Sequence, residues 1–325
     1  MPRLPRLAGV AAAAVGLSVL TSAPAVSGEP LMSAPRVVAH FDLAAGQTPE
    51  NIALEPDGSA DLTFASARQV ANVTPQGRTR VVATLPAEAH PDTPVVHDAL
   101  VFGIARAQDG TLYVTYATGT GRTGVWRIGR DGSAPRQIAR LPTDGLPNGL
   151  ALDERRGVLY AADSVLGTVW RIPRDGGTPT AWARASALRP ASARRTDGFG
   201  ANGVKVHRDA VWVSNSDRGT LLRIPVRADG SAGAIETRAT GLDGIDDFAF
   251  PGPGTTVFAA LSESNRVALV RPDGTHSVVL VQRDGLSDPT SVAVRGRTVY
   301  VPGAARSTRK DPNLLVAQLR RHFSR

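Results

Sequence analysis

Apolar and polar residues alternate with a period of two through most of this chain. The clearest run is LPNGLALDERRGVLYAADSVLGTVWRI, over residues 146–172. It reads as a turn, an apolar strand carrying Leu150 and Leu152, a polar turn, a second strand over 158–161 and a third over 168–172. The pattern returns as ANGVKVHRDAVWVSNSDRGTLLRI over 201–224 and as GIDDFAFPGPGTTVFAALSESNRVALV over 244–270. Fainter copies are TPENIALEPDGSADLTF, LVFGIARAQDGTLYV and DPTSVAVRGRTVYV. Helical repeats of similar length would need apolar spacings of three and four, and these segments alternate by two.

Aligning the copies on the first apolar residue of the opening strand defines a slot two positions earlier. The slots are Glu50, Phe102, Asn148, Asn202, Asp246 and Thr290, spaced 44 to 54 residues apart. That period, with several short strands in each copy, predicts an all-β, six-bladed β-propeller. The blades fall at about 47–90, 95–142, 146–190, 198–240, 242–284 and 286–325. Gly-containing pairs at Asp57-Gly58, Asp109-Gly110, Asp131-Gly132, Gly176-Gly177 and Asp273-Gly274 suit hairpin turns between blade strands. PRVVAHFDL, over 35–43, is a strand with no nearby partner, and the last copy is short. The expectation is that this N-terminal strand completes the last blade beside residues 314–319, so that one domain spans 35–325. Two insertions, over 88–97 and 186–200, precede inner strands and are expected to overhang one face.

Composition narrows the picture. Gly 33 and Pro 24 fit a turn-rich fold, and an absence of Cys removes disulfides and thiol chemistry. The net charge is +8, almost all of it Arg, with Lys only at Lys205 and Lys310. The arginines are scattered along strands, as in VWRI and LLRI, and are not gathered with aromatics except in the tail RRHFSR. They read as solvated strand faces, and nucleic acid is not an expected partner. Residues 1–25 read as a secretory signal. Arg3 and Arg6 form its charged start, an apolar stretch over 8–20 its core, and Ala23-Pro24-Ala25 its cleavage region. A secreted monomer, free of membrane after cleavage, is expected.

In a propeller the first strand of each blade lines the central channel, so equivalent slots point at one axis. Glu50, Asn148, Asn202 and Asp246 then bring two carboxylates and two amide oxygens together, a set suited to a hard divalent cation. Ca²⁺ is the first choice, with Mg²⁺, Mn²⁺ or Zn²⁺ as alternatives, although Zn²⁺ favours nitrogen and sulfur donors. Such a cation polarises a carbonyl, and a ring carboxylate can serve as base. The plainer alternative is that Asn and Asp before a strand are turn formers. Asp246-Asp247 leaves open which carboxylate faces the axis, since one residue of register decides it. His97 precedes an inner strand and is a candidate for the mouth. Asp163 and Asn215 read as turn residues, and Trp126, Trp170 and Trp212 as inter-blade packing. No serine sits in a GxSxG context.

The slot set resembles the gluconolactonase, senescence-marker-protein (regucalcin) and luciferin-regenerating-enzyme-like family of six-bladed propellers. The resemblance implies a metal held by Glu50, Asn202 and Asp246, with Asp246 also the general base. It implies substrate contacts from Asn148 and, as counterpart of the family's arginine-containing loop, Arg106. The expected activity is hydrolysis of a lactone or ester. Two alternatives stand beside it. One is a non-catalytic NHL-type propeller binding a peptide, glycan or cell-wall ligand. The other is a metal-dependent propeller lyase of the virginiamycin type, which relies on a histidine base.

Overall fold

The computed structural model describes residues 31–130, 133–191 and 198–320. The segment read as a signal, the Asp131-Gly132 turn, positions 192–197 of the second insertion and the basic tail after Arg320 lie outside the described residues. Six four-stranded antiparallel sheets form the blades of a propeller, as the repeat pattern predicted. Their inner strands are Pro49–Leu54, Leu100–Arg106, Pro147–Asp153, Ala201–His207, Ile245–Ala249 and the short Ala293–Arg295. Blade six closes as expected. Its outermost strand is the N-terminal Met32–His40, antiparallel to Asn313–Leu319 with Val37 opposite Leu315. This hydrogen-bonds the first described strand to the last and covers the edge that Asn313–Leu319 would otherwise present.

Alternation puts one face of each sheet against the next blade, and six apolar clusters fill the six interfaces. Val70 and Leu112 meet between blades one and two, Tyr160 and Val211 between blades three and four, and Phe258 and Leu315 between blades five and six. Trp126 and Trp212 are buried in this packing. Trp170 is half-buried and donates to Asp163 Oδ2. Hairpin ends use Asp and Gly in a fixed way. Asp57, Asp109 and Asp273 each accept the backbone N–H two residues on, at 2.9, 2.9 and 3.0 Å. The glycine between adopts φ of 90°, 88° and 86°, a region glycine enters without strain.

The slots owe their geometry to a repeated irregularity. In blades one to five the pairing of the inner strand with its neighbour shifts register at the slot, between Pro49 and Ile52, Val101 and Ile104, Pro147 and Leu150, Ala201 and Val204, and Ile245 and Phe248. A bulge of this kind re-aims side chains. The residue after the slot is Gly103, Gly149 or Gly203 in the middle blades, for a reason of space. A Cβ at Gly103 would lie 2.5 Å from the Asn148 carbonyl oxygen, and one at Gly149 would lie 2.4 Å from that of Asn202. Hydroxyls on the second strands lock each bulge to the next blade. Thr115 Oγ1 accepts the Gly103 N–H at 2.8 Å and donates to the Asn148 carbonyl at 2.5 Å. Thr63 does the same between Asn51 and Phe102, and Ser214 between Gly203 and Asp246. Thr290, the slot of blade six, donates to Pro49 O and so joins the last blade to the first.

Candidate functional site

Glu50, Asn148, Asn202 and Asp246 come together, as the alignment predicted. All four line one cavity of about 470 Å³ at the mouth of the channel. Glu50, Asn148, Asn202 and Asp246 are only 3%, 2%, 6% and 4% exposed. The bulge answers the Asp246 versus Asp247 question. Asp246 lines the cavity, whereas Asp247 is turned away from it and accepts hydrogen bonds from Asn51 Nδ2, Ser291 Oγ and Lys205 Nζ at 3.1, 2.6 and 2.6 Å.

The two amides are oriented by serines one strand away. Ser164 Oγ gives its proton to the Ala201 carbonyl at 2.8 Å, so toward Asn148 it can only accept, from Nδ2 at 3.3 Å. Ser216 Oγ likewise donates to Ile245 O at 2.6 Å and accepts from Asn202 Nδ2 at 2.9 Å. Each amide therefore turns its Oδ1 away from the serine, and among the described residues neither oxygen accepts a hydrogen bond. Two buried amide side chains, of which Asn202 also hydrogen-bonds Asp246, and two carboxylates bring together oxygen donors of the kind that fits a hard divalent cation. The set is short of acids. Among the described residues no group of three or more His, Cys, Asp or Glu side chains is arranged to hold a metal.

One cation is present that the sequence reading missed. Arg306 Nη2 pairs with Glu50 Oε2, and its Nη1 lies 3.7 Å from Asp246 Oδ2. Burial pushes the Glu50 carboxyl up, against the pull of Arg306, and burial together with the Glu50 charge pushes Asp246 well above the usual carboxylate range. The Glu50 and Asp246 charges hold the Arg306 guanidinium firmly protonated. Arg306 sits in the loop between the second and third strands of blade six. Its only sequence signal was the basic, turn-like stretch GAARSTRKD.

The rest of the wall is mixed, with Asp217, Glu263 and Arg309 on it beside an apolar part. Phe102, Leu100 and Leu43 line it, and the two insertions add Val96 and Phe199, so both reach over the mouth as expected. His97 does not enter. Its side chain is 75% exposed and its Nδ1 lies 3.3 Å from Asp92 Oδ1. The expectation that Arg106 reaches the mouth is not met either. It lies at the far end of its inner strand, with Nε 2.7 Å from Glu55 Oε1, because alternation and strand length carry it away from the slot. Asp163 and Asn215 act as turn residues. Asp163 Oδ1 accepts the Leu146, Val165 and Leu166 amides, and Asn215 Nδ2 donates to Ala187 and Arg189 carbonyls.

No protein-family model matches this chain, and no curated protein does. Solved structures are similar to it. Regucalcin from Agrobacterium tumefaciens, described as a calcium-binding protein, is 16% identical over 88% of this chain and 93% of its own, with TM-score 0.64. A gluconolactonase from Xanthomonas campestris is 16% identical over 91% and 99%, with TM-score 0.63. Virginiamycin B lyase from Staphylococcus aureus is 15% identical over 88% and 100%, with TM-score 0.58. At these identities the likeness speaks for the fold, a β-propeller.

Proposed function

We propose that this propeller is an exported hydrolase of a small lactone or ester, dependent on a divalent cation at the channel mouth. The observation that carries the reading is the convergence of Glu50, Asn148, Asn202 and Asp246 on one cavity, with each amide fixed by a serine that accepts from its Nδ2. Glu50, Asn202 and Asp246 would hold the cation, Ca²⁺ before Mg²⁺, Mn²⁺ or Zn²⁺, and the cation would supply Lewis-acid polarisation of the substrate carbonyl. Asp246 is the base. Burial and the neighbouring Glu50 raise its affinity for a proton, which is what accepting one from water requires. The Asn148 amide is positioned to meet the substrate, and Phe102, Leu100, Val96 and Phe199 hold its apolar body and limit water. Export rests on the composition of residues 1–25.

The choice of hydrolase over lyase rests on the base. Among the described residues no histidine lines the cavity. The test is metal content of the purified mature protein, followed by a lactone and ester panel for wild type and Asp246→Asn with each cation. Stoichiometric metal and hydrolysis, both lost in the variant, are expected. A wild type that binds no cation sinks the reading and leaves a non-catalytic binding propeller.

A further inference from the structure

Arg306 is held in place by more than its two carboxylates. Asp288, itself 1% exposed, accepts four hydrogen bonds from the residues that follow Arg306: Ser307 N and Oγ, both at 2.7 Å, and Thr308 N and Oγ1 at 2.9 and 3.2 Å. The Ala304 and Ala305 amides donate to the Asp288 and Ser287 carbonyls, and Ala305 adopts a φ of 53°. A buried carboxylate and a left-handed residue thus aim one side chain at the ring. That side chain stays 47% exposed within the cavity, while its two partners are 3% and 6% exposed. The charges around the cavity are unbalanced. Glu50, Asp217, Asp246, Glu263 and Asp288 face it against Arg306 and Arg309, although the chain as a whole carries +8.

We propose that Arg306 is a built-in counter-cation, exchanged for the divalent metal when the metal binds. The inference rests on the metal reading above. Glu50 and Asp246 are too buried to stand as a bare pair, and a guanidinium fork reaching both neutralises them in the metal-free protein. A metal ligated by the same two carboxylates needs the space and the charge that the guanidinium holds. Accessible from the cavity and anchored by its backbone, Arg306 can swing aside without the loop unfolding. Asn148 and Asn202 do not pair with Arg306 and stay ready for either state. The exchange has two consequences. The metal-free fold is stabilised, and metal affinity is lowered by the free energy of breaking the Arg306 contacts, since binding pays for whatever it displaces.

The test titrates Ca²⁺ alone into the full mature protein by calorimetry and follows melting in chelator. Wild type, Arg306→Gln, Arg306→Lys and Arg309→Gln are compared. Arg309 lines the same cavity without an ion pair to either carboxylate, so its loss removes equal charge and no contact. The expectation is at least tenfold tighter Ca²⁺ binding for Arg306→Gln, a smaller gain for Arg306→Lys, and little change for Arg309→Gln. In chelator Arg306→Gln should melt below wild type, and saturating Ca²⁺ should close that gap. Equal affinity of wild type and Arg306→Gln overturns the exchange and leaves the metal site standing. Equal tightening by Arg309→Gln also overturns it, since general charge then suffices. Absence of Ca²⁺ binding in every protein overturns both this inference and the metal reading.

Discussion

The inner strand of blade one meets two carboxylates and a guanidinium at each of its ends. At the mouth, Glu50 is joined by Asp246 and Arg306; at the other end, roughly 15 Å away at about 3.3 Å per residue, Glu55 is joined by Asp61 and Arg106. Two carboxylates and a guanidinium are therefore not in themselves a site. The ends differ in what surrounds the charges. At the mouth the carboxylates come from different blades, two serine-fixed amides flank them, and the guanidinium opens on a cavity. At the far end both acids belong to blade one, and Arg106, 16% exposed, also donates to its neighbour's carbonyl on Ala107. The first arrangement can exchange one cation for another, whereas the second is closed on itself and serves stability.

The comparison breaks most readily at Asp246. Asp246→Asn keeps the shape but removes the base and a metal ligand together, so hydrolysis of a responsive lactone should fall by at least the about 10²–10⁴-fold that loss of a general base alone brings. Gly149→Ala should come next. Its Cβ would press on backbone of the neighbouring blade at 2.4 and 2.8 Å, beside Asn148 and Asn202. A loss of about 1–3 kcal/mol is expected in denaturant melts, with weaker cation binding in the protein that remains folded. Arg106→Gln should do the reverse of Asp246→Asn. Activity should stay within about twofold, while stability drops by about 1–3 kcal/mol as Glu55 and Asp61 lose their cation. A large loss of activity at unchanged stability would return Arg106 to the substrate site.

Why the mouth was half legible follows from where its residues sit. Glu50, Asn148, Asn202 and Asp246 occupy equivalent places in a repeat, and a repeat copies geometry, so alignment alone brought them to one axis. Arg306 lies in a loop of the shortest repeat and has no counterpart in the other blades, so no alignment could find it. The bulges lay hidden in plain alternation. Their trace is the glycine after Phe102, Asn148 and Asn202, together with Thr63, Thr115 and Ser214 on strands where an apolar residue was expected. Arg106 misled because it stands in the right strand at the wrong end, and hydropathy does not say which end of a strand faces a ligand.

The subtlest way to sharpen the comparison is by pH. Burial, with a further push from Glu55 against the hydrogen bond from Asn72, raises the Asp61 carboxyl from 3.8 to about 7. Its Oδ1 accepts from Asn72 Nδ2 at 2.8 Å, but its buried Oδ2 has no donor. A proton on Asp61 satisfies that oxygen and relieves the repulsion with Glu55. The folded protein thus holds a proton that the unfolded chain releases near pH 4. The group's contribution to stability is full below that pH and is lost as pH rises to about 7, with a slope of at most about 1.4 kcal/mol per pH unit. Asp61→Asn mimics the protonated acid and should remove this slope. The difference between wild type and variant, melted from pH 4 to 8 in chelator, isolates Asp61 from Glu50 and Asp246, which burial pushes the same way. Parallel stability curves for the two proteins would mean that Arg106 keeps Asp61 ionised in the folded protein.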